Sequence, residues 1–294
     1  MAFRSTFEPT VFAHEIQNKN YKIFYYNPKD LSIINSKVIA AGFFIEFNYK
    51  NKKFFKDLKK QKLELTKCKF ILIRQDPPFN LEYISATYIL DTSKEKVQIL
   101  NNPTSIRNVS EKLYSVKFQK YMPNTIFTQN IDEIKNFFKK HKKVILKPIH
   151  SYSGNDIHLL TSFNLKLIKK FIKQHDHIMC QKFIPKISKG DKRVFLINGK
   201  VCGAISRVPK KGSFLSNMSK GAKPINIKLT KIENKISKLI AKDLKKQNIF
   251  FAGIDFIDQK LNGDINVTSP TGLKTLYDLS GINLAKTFWR ELKA

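Results

Sequence analysis

Cysteine is scarce and scattered. Cys68, Cys180 and Cys202 stand far apart in the 294 residues, with no C-x-x-C spacing. That excludes a disulfide scaffold or a cysteine-built zinc cluster and fits thiols kept reduced in a cytosol. Long apolar runs are missing too. The longest, residues 38–47, is about half the ~18–20 residues that a membrane span requires, and it already contains Glu46. The opening stretch MAFRSTFEPTVFAHE lacks the apolar core of a secretory signal. These absences predict a soluble, cytoplasmic chain with no membrane partner.

Acidic residues are few, 23 against 54 Lys and Arg, for a formal net charge of +31. Such a balance invites a nucleic-acid partner, because cations that neutralise phosphates release counterions. Arginine, however, supplies only six of the 54 cations (Arg4, Arg74, Arg107, Arg193, Arg207 and Arg290), and bidentate phosphate and base contacts favour it. The lysines are dispersed through KNKKFFKDLKKQK, FFKKHKK, LIKKFIKQ and AKDLKKQ, on the polar faces of helical patterns. The charge therefore predicts a lysine-rich solvated surface rather than a nucleic-acid site. His175 and His177 form a close pair without a third ligand nearby, which predicts solvated loop residues rather than a metal site. What the chain does have is core: 42% hydrophobic and 12% aromatic residues, too apolar for wholesale disorder.

Short strand-like runs alternate with longer helical ones, predicting an α/β architecture. Ser5 with Glu8 forms a capping box that opens a helix to about residue 19. Strands are expected at 21–26, at 31–34 and 37–49 about an Asn35-Ser36 turn, at 70–74 and at 97–100, with helices at 81–94 and 106–119. Asn130 caps a helix from Ile131. Strands at 144–149 and 156–160 flank HSYSGN, and a helix at 163–174 precedes strands at 178–184, 192–197 and 200–208. The last two are joined by an Asn198-Gly199 hairpin turn. Residues 209–224, rich in Lys, Gly and Ser, lack periodicity and read as mobile. A helix at 230–246, strands at 251–258 and 264–268, and a final helix from about Ser280 complete the chain. A domain boundary is expected around 101–110.

Three groups carry candidate chemistry. FFAGIDFIDQKLNGDINVTSPTG reads as a hairpin. A four-residue turn at 259–262 sets Asp255 opposite Asn266 and Asp264 opposite Ile257; a two-residue turn moves Asp255 about 13 Å along the strand from Asn266. In either register Asp255, Asp264 and Asn266 share a face. Two carboxylates and an amide oxygen are hard ligands suited to Mg²⁺, with an ordinary solvated hairpin face as the plain alternative. Lys147, in VILKPI, interrupts a run that is apolar on both faces, and a buried ammonium needs an anion. Lys112 falls on the expected 106–119 helix. Arg193 in GDKRVF and Arg207 in AISRVP lie on the two strands of one hairpin. An ideal two-residue register points them to opposite faces, so a shared site requires a bulge or a curled strand end. HSYSGN can offer backbone N–H groups to phosphate, although with one glycine a plain hairpin loop is the better reading.

Taken in chain order, ILIRQDPPFNLEYISATYIL, NVSEKLYS, VILKPIHSYSG, QKFIPKISKGDKRVFLINGK, AISRVP, GIDFID and DINVTSPTG resemble prokaryotic glutathione synthetase, an ATP-grasp family, from about Ser5 to the C-terminus. The resemblance implies an N-terminal pre-ATP-grasp α/β domain (1–111) followed by a two-subdomain ATP-grasp fold (112–294). Within the latter it implies a small subdomain at 112–181 and a C-terminal one at 182–294 that carries a lid at 209–224. The implied reaction joins γ-glutamylcysteine to glycine through an acyl phosphate, giving glutathione, ADP and phosphate, with ATP as co-substrate and Mg²⁺ or Mn²⁺ as cofactor. Lys112, Lys147, Ser153 and Gly154 would then meet ATP phosphates, Gln181, Lys182, Phe183 and Ile184 would line the adenine cleft, and Asp191 would join the nucleotide-binding set. Arg193 and Arg207, with Lys147, would carry the catalytic charge, and Asp255, Asp264 and Asn266 would hold the metal. A homotetramer is the implied assembly.

The chain departs from the family pattern in several places. His150-Ser151-Tyr152-Ser153-Gly154 replaces a glycine-rich phosphate loop, Asp264 replaces Glu, Leu215 and Ala222 sit in the lid, and Lys274-Thr275 replaces an Arg-Glu pair. Two alternatives stay open on these departures: an ATP-grasp ligase with another peptide substrate, and a catalytically weak nucleotide-binding relative. The family's first strand has no counterpart before the opening helix, which predicts an upstream start or an N-terminal sheet short of an edge.

Overall fold

The computed structural model describes residues 7–46, 56–57 and 59–294. The chain enters through α1 (Phe7–Gln17); Ser5, its expected cap, lies outside the described residues. Asn35 and Ser36 both take positive φ, 49° and 61°, the twist that a two-residue hairpin turn requires. They join β1 (Ile23–Ile34) to β2 (Lys37–Glu46). The two expected runs at 21–26 and 31–34 are thus one strand, with an irregularity between Tyr26 and Leu31. β3 (Lys56–Asp57) and β4 (Gln61–Glu64) both pair with β2. β5 (Phe70–Leu72) pairs in parallel with β6 (Gln98–Leu100), the crossover being α2 (Leu81–Asp91), whose first turn Asn80 caps.

The helix expected at 106–119 is broken. α3 (Pro103–Asn108) stops where Val109 leaves helical geometry, and the chain resumes as a 3₁₀ stretch at Leu113–Tyr121. The carbonyl of Glu111, between the two, accepts a hydrogen bond from the Ile265 amide at 2.9 Å. A strand partner has claimed a group that a continuous helix would have used.

Two sheets follow. The first is ordered β7 (Thr125–Thr128), β10 (Ile178–Lys182), β8 (Val144–Pro148), β9 (His158–Leu160). α4 (Ile131–His141), capped by Asn130, and α5 (Leu165–His175) cover one face of it. Val144 and Leu146 pack under Ile134 and Ile168, so the alternate residues Ile145 and Lys147 are turned the other way.

The second sheet is ordered β13 (Lys223–Asn226), β12 (Lys200–Val208), β11 (Asp191–Ile197), β14 (Phe251–Ile257), β15 (Lys260–Asn266). α6 (Lys231–Lys246) packs Ile236, Ile240 and Leu244 on one face; its capping box joins Thr230 and Glu233. The opposite face is divided. Phe195, Ile197, Ile205 and Phe251 lie beneath α1, α7 (Leu273–Ser280) and α8 (Leu284–Glu291), and Trp289 Nε1 donates to the Phe12 carbonyl at 2.8 Å. Further along the same strands and face, Asp191, Arg193 and Arg207 replace the apolar residues. Ser280 ends a helix instead of starting one, because Gly281 takes the left-handed conformation (φ 73°) that closes α7, and Asn283 caps α8. Residues 209–224, expected to be aperiodic, end in an edge strand at Lys223 and Pro224, where proline's missing donor is tolerated.

The N-terminal elements are pinned to this second sheet. Asn101 Nδ2 donates to the Phe251 and Val267 carbonyls (2.7 and 2.6 Å), and its Oδ1 accepts from the Phe250 and Phe251 amides. Arg74 Nη2 donates to the Pro270 carbonyl at 2.9 Å. No helix of the described residues is long and apolar enough to cross a membrane.

Candidate active site

A cleft of about 710 Å³ opens between the two sheets, lined by Ile145, Lys147 and Gln181 on one side and Arg193, Arg207, Asp255 and Asp264 on the other. Its volume is within the range of small-molecule sites. Every candidate residue named from the sequence lines it, including Lys112, Ser153, Gly154, Lys182, Phe183, Ile184, Asp191 and Asn266. Asp76 and Phe79 of the DPPF loop, Ser216 and Asn217 border it as well.

Two departures from regular strand pairing assemble it. Asn198 and Gly199 make the expected tight turn, but Phe195 pairs with Gly203 while Leu196 pairs with Val201, leaving Cys202 as an extra residue. That bulge reverses the alternation beyond it. Arg193 comes opposite Ile205 and Arg207 opposite Asp191, so both arginines share a face. In the β14–β15 hairpin the turn is the two residues Asp258 and Gln259, not 259–262, and an irregularity sets Asn262, Gly263 and Asp264 against Asp255. Three residues against one preserves the face while drawing Asp264 up to Asp255; Asn266 pairs with Gly253, neither of the two expected registers. Gly263, at φ 86°, makes the approach possible: a Cβ there would stand 2.5 Å from Met179 Cε. Met179 pairs with Lys147, so this contact also brings Asp264 to Lys147.

The buried ammonium finds its anion. Lys147 Nζ, on a 4% exposed residue, donates to the Asn262 carbonyl (2.9 Å), to Asn262 Oδ1 (3.1 Å) and to Asp264 Oδ2 (3.4 Å). Lys112 Nζ, equally buried, lies 3.5 Å from Asp264 Oδ1, 3.3 Å from Glu111 Oε1 and 3.1 Å from the Ser151 carbonyl. Asp264 is thus held between two lysines. Burial pushes its carboxyl up, but Lys147 and then Lys112 outweigh that and hold it below the usual carboxylate range. Burial also lowers the Lys112 ammonium, and the charges of Glu111 and Asp264 more than reverse the effect. His150 is lowered by burial and by Lys112, which keeps the imidazole neutral at pH 7.

A second charged group adjoins the first. Arg193 forks onto Asp255, Nε to Oδ1 at 2.8 Å and Nη2 to Oδ2 at 2.7 Å. Arg207 Nη2 reaches Asp255 Oδ2 at 2.9 Å and also meets Asp191 Oδ2, while its Nε is 2.8 Å from Asp191 Oδ1. Burial raises Asp255, yet the two guanidiniums hold it well below its ordinary value. Asn266 Oδ1 accepts from Thr268 Oγ1 (3.3 Å) and the Ser269 amide (3.2 Å). Gln181 Nε2 donates to Thr125 Oγ1 at 3.0 Å, which fixes the start of the segment that continues through Lys182, Phe183 and Ile184.

Several participants were not legible from the sequence. Asn262 satisfies Lys147, but it reads as an ordinary turn residue. Glu111 adjoins Lys112 in what looked like a helix, and Ser216 lies in a stretch with no periodicity. For Asn262 and Ser216 the neighbour that gives importance lies elsewhere in the chain, Lys147 and Asp191, and for Glu111 it is the Ile265 amide that claims its carbonyl.

Comparison with known proteins bears on the same surfaces. The family model for the prokaryotic glutathione synthetase N-terminal domain matches residues 7–107, and that for the prokaryotic glutathione synthetase ATP-grasp domain matches residues 111–281. A glutathione synthetase of Bradyrhizobium diazoefficiens is 33% identical over 279 residues, covering 94% of this chain and 88% of the relative. That of Buchnera aphidicola subsp. Baizongia pistaciae is 36% identical over 278 residues, covering 92% and 86%. Among solved structures, the ATP-grasp ligase PsnB superposes with a TM-score of 0.66 at 11% identity over 99% of this chain and 95% of its own. D-alanyl-alanine synthetase A from Vibrio cholerae gives 0.60 at 14% identity over 97% and 93%; likeness at that level speaks for the fold. With two family models matched in order and relatives similar over nearly their full length, the chain belongs to the prokaryotic glutathione synthetases, ATP-dependent carbon–nitrogen ligases built on an ATP-grasp domain.

Proposed function

We propose that this chain joins γ-glutamylcysteine to glycine with ATP, giving glutathione, ADP and phosphate, and that the cleft between the two sheets is where it does so. The observation that carries the reading is the convergence of Lys112, Lys147, Arg193 and Arg207 on one buried cavity. These cations stand among the buried carboxylates of Asp191, Asp255 and Asp264. Fixed charge of both signs in a water-poor site, cations toward phosphate and carboxylates toward a divalent cation, stabilises a phosphoryl-transfer transition state strongly.

Lys112 and Lys147, with the backbone around Ser153 and Gly154, meet the phosphates, while Gln181, Lys182, Phe183 and Ile184 line the base and Asp191 completes the nucleotide's surroundings. Asp255, Asp264 and Asn266 supply oxygen donors on one face. Asp255 and Asp264 are held ionised by neighbouring cations, a donor set that fits a divalent cation such as Mg²⁺ or Mn²⁺. That cation, when bound, supplies charge neutralisation on the phosphates. Arg193 and Arg207 orient the dipeptide carboxylates and the phosphoryl group. The cysteinyl carboxylate attacks the terminal phosphorus and ADP leaves; the glycine amine then attacks the acyl carbon, phosphate leaves, and the amine proton passes to solvent. Residues 209–224 cover the mouth and keep water from the acyl phosphate.

In this reading the chain divides near residue 111, into an N-terminal domain and an ATP-grasp part with subdomains at 112–181 and 182–294. It works in the cytoplasm as a homotetramer. A coupled ADP-release assay with γ-glutamylcysteine and single amino acids tests the reaction. Glycine-dependent turnover is expected. Turnover only with another acceptor would assign a different peptide product, and nucleotide binding without turnover would make the chain a non-catalytic relative.

A further inference from the structure

Within residues 209–224, Phe214–Ser219 line the cleft, and Ser216 is the one polar side chain buried in that stretch, at 8% exposure. Its Oγ donates to Asp191 Oδ2 at 2.6 Å. The same carboxylate, 2% exposed, takes the fork of Arg207, and Arg207 continues to Asp255. The next residue, Asn217, sits so close to Gly154 that a Cβ on that glycine would overlap its Oδ1. Two adjacent residues therefore seat the segment on both walls, one against the loop of the first sheet and one, through a buried carboxylate, against an arginine of the second.

We propose that Ser216 is a positioning residue for the ligase reaction: through Asp191 it docks the covering segment onto Arg207, so that closure of the cleft and the aim of that guanidinium are one arrangement. The inference rests on the ligase reading above. A hydroxyl bonded to a buried carboxylate is a charge-assisted contact, stronger than one between neutral groups, and its acceptor is kept in place by the guanidinium. Closure is then favoured where Arg207 is correctly seated on Asp191, and a misplaced Arg207 releases the segment. Without the hydroxyl, the segment opens more often and water reaches the acyl phosphate. Water adds to the phosphorus, the bond from phosphorus to the acyl oxygen breaks, and the dipeptide carboxylate, phosphate and a proton are released. The net result is ATP hydrolysis without peptide formation.

The test compares the wild-type chain with S216A and S216T, measuring phosphate released per tripeptide formed, and hydrogen exchange of the amides at 210–222 in the full chain. In S216A the phosphate-to-product ratio is expected to rise about twofold or more from near one, and exchange across the segment to quicken about tenfold, as expected for loss of a hydrogen bond to a charged group. S216T, which keeps the hydroxyl, is expected to stay near wild type in both. An unchanged ratio in S216A overturns the proposal even if exchange quickens, because the hydroxyl would then be a structural tether only. S216T matching S216A, or an S216A chain that no longer folds, overturns it too. A wild-type chain without glycine-dependent phosphate release fails the ligase reading instead, and the exchange comparison then decides the docking by itself.

Discussion

Lys147 and Asp264, 117 positions apart in the chain, face each other across the cleft with Nζ 3.4 Å from Oδ2. One comes from a strand of the first sheet and the other from the outermost strand of the second. The contact is therefore a measure of how the two sheets sit, and everything assigned to the cleft depends on it.

Removing the ammonium should show in the rate. Lys147→Ala is expected to lower kcat/KM by about 100-fold or more, the size seen when a transition-state charge partner is lost. ADP release measured across ATP concentrations checks this, and an unaffected rate would remove Lys147 from the catalytic machinery.

Length at position 264 should matter less than charge. The contacts of Asp264 with Lys147 and Lys112, at 3.4 and 3.5 Å, are longer than the roughly 2.7–2.9 Å of a close charged hydrogen bond, so a longer side chain that adjusts its rotamer can tighten them. Asp264→Glu is expected to keep or raise activity and Asp264→Ala to lose it by about 100-fold or more. Collapse of the Glu variant would mean that the shorter side chain is matched to a site of different shape.

Acid should loosen the charged cluster in a defined direction. Asp255 and Asp264 are both held below their ordinary values, so at these two carboxyls the unfolded chain binds more protons near pH 4 than the folded one. Burial raises Asp191 and Glu111 and opposes the effect there. The stabilisation from Asp255 and Asp264 is complete above the unfolded value of about 4 and is lost as pH falls through the lower folded values. Urea unfolding followed between pH 6 and pH 3 should show stability falling, with a shallower fall in Asp264→Asn. Parallel profiles for the two chains would contradict the assignment.

Arg207 should prove structural as well as functional. Its side chain and that of Asp191 are 4% and 2% exposed, and deleting one partner of such a pair leaves a buried charge uncompensated. Arg207→Ala is expected to cost about 3–5 kcal/mol of unfolding free energy. Arg207→Lys should recover only part of it, because lysine cannot make the fork. Equilibrium denaturation of the three chains is the measurement, and a loss below about 1 kcal/mol in the Ala variant would show Asp191 to be satisfied by other groups.

Gly154 stands at φ 71°, with Asn217 filling the space of a Cβ. Gly154→Ala combines backbone strain of about 1–2 kcal/mol with a clash against the covering segment, and is expected to raise the KM for ATP severalfold. Adding Asn217→Ala should relieve the clash but not the strain, and so recover part of the loss. A double variant no better than the single one would leave backbone strain as the whole cause.

Legibility in the sequence followed physical locality. The turns at Asn35-Ser36 and Asn198-Gly199 and the cap Asn130 were readable because each is settled within a few residues, and the structure has all three. The 106–119 helix was misread because the deciding hydrogen bond comes from Ile265, more than 150 residues away. The turn at Asp258-Gln259 was misplaced because Asn262-Gly263 carries the stronger local turn signal. Its glycine instead serves a close approach to Met179. α7 was not anticipated at all, since TGLKTLYDLSG offers little more than a closing glycine.

By itself the sequence determined which residues could share a face and which could not be buried alone. Alternation along the strands set Asp255, Asp264 and Asn266 on one side, and an ammonium in an apolar run demanded an anion. Only the tertiary structure decided which anion. The Cys202 bulge brings Arg193 and Arg207 to the same side, and the irregularity opposite Asp255 draws Asp264 inward. Where an extra residue enters a strand depends on the twist of the sheet and on what packs against it, and those are properties of the assembled neighbours rather than of the segment.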